Sequence, residues 1–258
     1  MPQVHRFTAL ICALAYIAPS IAGMEKESYS TRPGLFFAWL SPDEGAVLAR
    51  FDRPAPLRAL VQHCNAGRDV FSLERGTKYR CKFEVFKLPS GEDNWESAGA
   101  TVLGPSPQSD TRQFGLFSTS PPRTTQWNIR RMVPPERAAL EALLQSDNRR
   151  FGAMKRQLKL GDASVVSRPG GASFAMVVPG KVVRDEDAFY DAQRHHLFVN
   201  REGVYTYGGE VPGKPIKYVD ADNSDLPGFV VSEGCDGWCI SLWSLTDGLK
   251  QLGTFGGH

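Results

Sequence analysis

The run Leu197-Phe198-Val199-Asn200-Arg201-Glu202-Gly203-Val204-Tyr205-Thr206-Tyr207 decides the fold class. Its two ends are built from β-branched and aromatic residues, and its middle, 200–203, from residues that suit a tight turn. That combination predicts a β-hairpin. The pattern continues on both sides. Residues 173–178 read as a short buried strand closed by Pro179-Gly180, and apolar stretches follow at 216–219, 229–232, 240–245 and 249–255. Two of the intervening turns contain Asp-Gly, at Asp236-Gly237 and Asp247-Gly248, a dipeptide that accepts positive φ. The last third of the chain therefore reads as an antiparallel meander.

Strand signals recur towards the N-terminus. Leu35-Phe36-Phe37-Ala38-Trp39-Leu40 and the stretch 46–51 flank a turn containing Pro42-Asp43-Glu44-Gly45. Residues 77–88 alternate, with Tyr79, Cys81, Phe83 and Val85 on one face and Lys78, Arg80, Lys82 and Glu84 on the other, as in a half-buried strand. Between the two β-rich parts, Pro134-Pro135-Glu136 opens an amphipathic helix, with proline and an acid in its first turn. Leu140, Leu143, Leu144, Phe151, Met154 and Leu158 form its apolar stripe, with a break expected at Asn148. The expectation is a β-rich α+β protein with antiparallel sheets in its N- and C-terminal parts and one amphipathic helix between them. Its parts would be 1–22, 23–120, 121–160 (linker and helix) and 161–258.

Residues 1–22 read as a secretory signal peptide. A short n-region precedes the apolar run 8–17, which is too short to span a bilayer, and Pro19-Ser20-Ile21-Ala22 supplies small residues at a cleavage site. The expected location is exported, periplasmic or secreted, without a membrane span. Thirty Lys+Arg against 28 Asp+Glu give a net charge of +2, which lacks the basic excess of a nucleic-acid binder. The charge is unevenly spread. Residues 130–159 carry eight basic side chains against Glu136, Glu141 and Asp147, whereas 160–258 is net acidic. The acidic third is available to receive that basic face, so a solvated or internally docked face is the preferred reading.

Export makes the cysteines legible, because disulfides persist in oxidising compartments. Cys64, Cys81, Cys235 and Cys239 follow the signal, and four cysteines allow three connectivities. Pairing of sequence neighbours, Cys64 with Cys81 and Cys235 with Cys239, is the preferred one. Three residues separate Cys235 from Cys239, one more than the redox motif has.

The stretch Asp220-Ala221-Asp222-Asn223-Ser224-Asp225-Leu226-Pro227-Gly228, followed by apolar 229–231, is the densest chemical motif. It resembles the Asp-rich loop of integrin-like (FG-GAP) and VCBS-type repeats, in which alternate oxygens hold Ca²⁺. The resemblance covers about a dozen residues. It implies Asp220, Asp222 and Ser224 as calcium ligands, with Ser224 replacing the third acid, Asp225 the loop glycine and Gly228 the final acid. The competing reading is a turn in which Asp and Ser cap their own backbone.

Other candidates are sparser. Asp187, Asp191 and His195 are spaced at i, i+4 and i+8 and would share a helical face, but the strand signal at 197–199 favours a charged loop before it. Gly171-Ala172-Ser173-Phe174-Ala175 approximates a nucleophile elbow without the helix that chemistry needs. Trp238, with Asp236 in the same expected turn, is the aromatic most open to a partner. Two functions follow as expectations. One is a non-catalytic exported binding protein, of periplasmic-inhibitor or immunity type, that caps another exported protein or envelope component. The other is a cell-envelope hydrolase using carboxylates such as Asp187, Asp191 or Asp220.

Overall fold

The 197–207 hairpin forms as its residues require. Strands β10 (Ala192–Arg201) and β11 (Val204–Val211) pair antiparallel, with Arg201 opposite Val204, so the loop is the two residues Glu202-Gly203. Both have positive φ, 53° and 85°, and the Gly203 N–H donates to Asn200 Oδ1 at 2.9 Å. That turn matches the right-handed twist of the flanking strands. The structure is a computed structural model; it describes residues 34–40, 47–49, 54–83, 100–103, 113–171, 173–183, 192–233 and 238–257. The stretch 1–22, Asp187, Asp191, Cys235 and Asp236 lie outside those residues.

Three antiparallel sheets result. Sheet A contains β1 (Leu35–Leu40), β2 (Val47–Ala49), β3 (Asp69–Ser72), β4 (Lys78–Phe83), β5 (Ala100–Leu103) and β6 (Gln113–Ser118), in the order β2-β1-β6-β3-β4-β5. Sheet B runs β11-β10-β9-β8-β7, with β7 Asn128–Arg131, β8 Ser164–Ser167 and β9 Phe174–Val183. Sheet C is the meander β12 (Pro215–Val219), β13 (Gly228–Glu233), β14 (Trp238–Ser244) and β15 (Lys250–Gly257).

Alternation along the strands stacks these sheets. In β13, Val230 packs with Leu35, Phe37, Leu73 and Leu116 of the sheet A side, while Phe229 and Val231 pack with Val166, Val177 and Leu197 of sheet B. Sheet C is therefore the middle layer, buried on both faces. The far face of sheet B, through Val165, Met176, Val178 and Phe198, receives Leu140, Leu144 and Phe151 from two helices, α2 (Pro134–Ser146) and α3 (Asn148–Lys155). The far face of sheet A carries the stacked pair Phe36 and Phe117, with Tyr79 edge-on to Phe117. Helix α1 (Pro54–Asn65) contacts β4, and the Cys64–Cys81 disulfide ties the two.

The β-rich, antiparallel, disulfide-bonded α+β class holds. Three details of the sequence reading change. Among the described residues there are three α-helices: α1 was not anticipated, and the amphipathic helix breaks where a break was expected, with Asp147 Oδ1 accepting the Arg150 N–H at 3.0 Å to start α3 at Asn148. The C-terminal strands form two sheets, B and C, because the link after Val211 leaves one layer for another. Pro179-Gly180 does not end a strand; β9 runs through it to Val183. The register shift between Gln193 and His195 lies opposite Pro179, and the Pro179 carbonyl accepts the Lys159 N–H at 2.8 Å. A bulge of this kind accommodates a residue that has no N–H to give.

The basic zone is resolved too. Arg137, Arg149, Lys155, Arg156 and Lys159 are exposed. Among the described residues none of the five meets an acid. Only Arg130 is paired within the zone, by two bonds to Glu136 at 2.5 and 2.7 Å. Glu136 also accepts the Val133 N–H at 3.0 Å, and the Arg130 contact holds its carboxyl below the usual range. The face is solvated rather than docked on the acidic third. No helix among the described residues is long and apolar enough to cross a membrane.

Candidate functional site: an arginine-walled cleft beside the Asp-rich loop

The Asp-rich stretch forms the eight-residue connection between β12 and β13, since Val219 pairs with Gly228. Short side chains fold it onto itself. Asp222 Oδ1 accepts the Ser224 N–H at 3.2 Å, and Ser224 Oγ donates to the Leu226 carbonyl at 2.9 Å. Asn223 takes the left-handed conformation at φ 58°, which asparagine tolerates. Asp222 Oδ2 accepts from Ser244 Oγ at 2.5 Å and from Thr246 Oγ1, tying the loop to the end of β14. Burial raises the Asp222 carboxyl pKa, but these hydroxyls and the Ser224 N–H outweigh it and leave the group below the usual carboxylate range. Asp220 is 2% exposed, and its Oδ2 accepts the Arg123 N–H at 2.6 Å. The turn in which Asp and Ser cap the backbone is thus present at Asp222 and Ser224.

These bonds engage Asp220 Oδ2, both Asp222 oxygens and Ser224 Oγ among the oxygens the resemblance would give to Ca²⁺. Asp222 serves three protein donors, and Asp220 Oδ1 alone is left buried without a hydrogen-bond partner. Among the described residues no three His, Cys, Asp or Glu side chains converge as a metal-holding group.

What the loop does position is arginine. Asp220 fixes the Arg123 backbone, and the Arg123 guanidinium donates to the Asn223 carbonyl at 2.6 Å. Arg123 belongs to the connection from β6 to β7, which carries the chain from sheet A to sheet B. Beside it lies an open cleft of about 880 Å³. Arg75, in the turn between β3 and β4, Arg123, and Arg168, just after β8, all line it, with Pro121, Pro122 and Pro169 in the walls. Prolines cost little conformational freedom when a wall is held in place. Asp225 stands at the margin, with Oδ1 2.7 Å from Arg168 and 3.8 Å from Arg123. Arginines from three separate loops line one concave surface, a composition suited to carboxylate or phosphate.

No known family, curated protein or solved structure matches the chain.

The remaining sequence-derived candidates are dispersed. Trp238 opens strand β14, paired with Gly257, instead of sitting in a turn, because the β13–β14 ladder extends out to Glu233 opposite Cys239. Cys239 is disulfide-bonded, and Cys64 is bonded to Cys81. His195 lies in β10, not on a helix, and it and His196 are both buried. Burial lowers the pKa of each, and His196 Nδ1 is 3.1 Å from Tyr207 Oη. Tyr207 is itself pushed up to about 12, chiefly by burial. Ser173 leads directly into β9, with no helix after it. Sequence reasoning missed the cleft because Arg75, Arg123 and Arg168 share no local motif. The one signal was Pro121-Pro122-Arg123, a stiff connection ending in a cation.

Proposed function

We propose that this chain is an exported binding protein, of the inhibitor or immunity kind, which takes an acidic segment of another exported protein into the arginine-walled cleft. The cleft carries the proposal: three arginines from three loops line one concavity, and the loop beside it is folded so as to hold one of them. Export rests on the character of residues 1–22 and is supported by the Cys64–Cys81 disulfide. Electrostatic complementarity of this type speeds encounter and sets specificity more than it sets raw affinity.

A direct test is titration with an acid-rich peptide and with its lysine-rich counterpart. The acidic peptide should bind, weaken as salt rises, and lose at least about tenfold in affinity when Arg123 and Arg168 are both replaced by alanine. Equal binding of both peptides, or no effect of the double substitution, would overturn the reading.

A further inference from the structure

We infer that the cleft selects a carboxylate, and that Asp225 is an internal stand-in for it which the incoming group displaces. This rests on the cleft reading above. Arg168 is 20% exposed in its side chain, and among the described residues its guanidinium meets one acceptor, Asp225. A guanidinium has five N–H donors in a planar fork. Asp225 engages that fork through a single oxygen: Oδ1 is 2.7 Å from Arg168 and, at 3.8 Å, outside hydrogen-bond reach of Arg123. The same carboxylate is 58% exposed, so water and salt compete for it.

Arg168, held by one oxygen of one exposed acid, and Arg123, with one bond to the Asn223 carbonyl, both have guanidinium donors to spare. A carboxylate approaching from the cleft can present both oxygens to one guanidinium, the paired geometry that gives arginine its preference for planar oxyanions. Asp225 cannot easily match this from its place in the 220–227 loop. That loop is tied to the end of β14 through Asp222 and Ser244, and Ser224 bridges across Asp225 to the Leu226 carbonyl. The arrangement keeps the guanidiniums ordered and partly neutralised until a better partner arrives. The bound group is then an Asp or Glu side chain or a chain-terminal carboxylate, and release of Asp225 to solvent accompanies its entry.

The test is calorimetric titration of the oxidised full chain with a hexaglutamate peptide and with inorganic phosphate, for the wild type, Asp225→Asn and Arg168→Gln. Asp225→Asn should bind the peptide about threefold more tightly, the scale of an exposed ion pair, and Arg168→Gln should bind it at least about tenfold more weakly. Unchanged far-UV circular dichroism would show that both variants fold. If wild type and Asp225→Asn bind the peptide equally, Asp225 is no stand-in, although the cleft reading survives. Failure of both to bind it would remove the cleft reading, and this inference with it. Phosphate binding as tight as the peptide would overturn the carboxylate preference.

Discussion

Asp222 shows how one side chain can hold a loop, a strand end and a charge at once. Its carboxylate accepts from the Ser224 backbone and from the hydroxyls of Ser244 and Thr246. Asp222→Ala strands those donors and should cost about 2 kcal/mol, measured by urea unfolding at neutral pH. Because the folded carboxyl titrates below its unfolded value, this contribution is present above the ordinary aspartate value of 3.8 and is lost as pH falls through the folded one. An Asp222→Ala variant as stable as the parent at neutral pH would mean the hydroxyls find equal partners in water. The buried histidines act in a higher window. Their folded pKa values are depressed by burial, so the unfolded chain takes up protons first as pH drops below 6.5. Stability should be full above that value and decline below it, and His196→Gln should flatten part of the decline in a series of melts from pH 7.5 to 5. An identical slope in that variant would assign the effect elsewhere. The Asp-rich motif was visible in the sequence, but its role was not, because which donors face an oxygen depends on Arg123, Ser244 and Thr246, all distant in the chain.

At the scale of elements, strands were legible wherever alternation or a tight turn marked them. The 197–207 hairpin and the alternating face of β4, with Tyr79 and Cys81 buried, are both present. Helix α1 was hidden because Pro54 and Pro56 crowd its start, although proline is acceptable in a first helical turn. β9 was cut short for a similar reason: proline normally marks an end, and only the opposing register shift lets the strand pass. That crossing is tight. A Cβ on Gly180 would lie 2.9 Å from His196 Nε2 and 3.0 Å from the Arg194 carbonyl, so Gly180→Ala should destabilise by about 2 kcal/mol in chemical melts. A neutral result would show that the bulge gives way readily. The disulfide joins α1 to β4 across 17 residues of sequence. Replacing Cys64 and Cys81 together by alanine should cost about 3 kcal/mol, and a loss far below that would mean α1 is held by packing alone.

For the whole molecule, the sequence predicts that strands exist but not which sheet each joins. Period-two alternation gives every strand two faces and is silent about neighbours. Phe229 and Val230 make the point: adjacent residues of β13, buried against sheet B and against sheet A respectively. If the middle layer couples the outer two, Phe229→Ala and Val230→Ala should both lower one common transition, the first by about 4 kcal/mol and the second by somewhat less. Tryptophan fluorescence and far-UV circular dichroism should then report coincident midpoints. Separated midpoints would divide the molecule into independently melting parts.

The middle layer also has a place in time. Sheet C is assembled from residues 215–257, after every strand of sheets A and B. On a ribosome the chain emerges from its N-terminus at about 5–20 residues per second, so the two outer sheets leave first, each with an apolar face that has nothing to cover it. Neither can complete its packing until the final strands arrive to wedge between them. Completion of the three layers thus waits for residues 215–257, and a nascent chain paused before residue 215 would be a natural client for a chaperone.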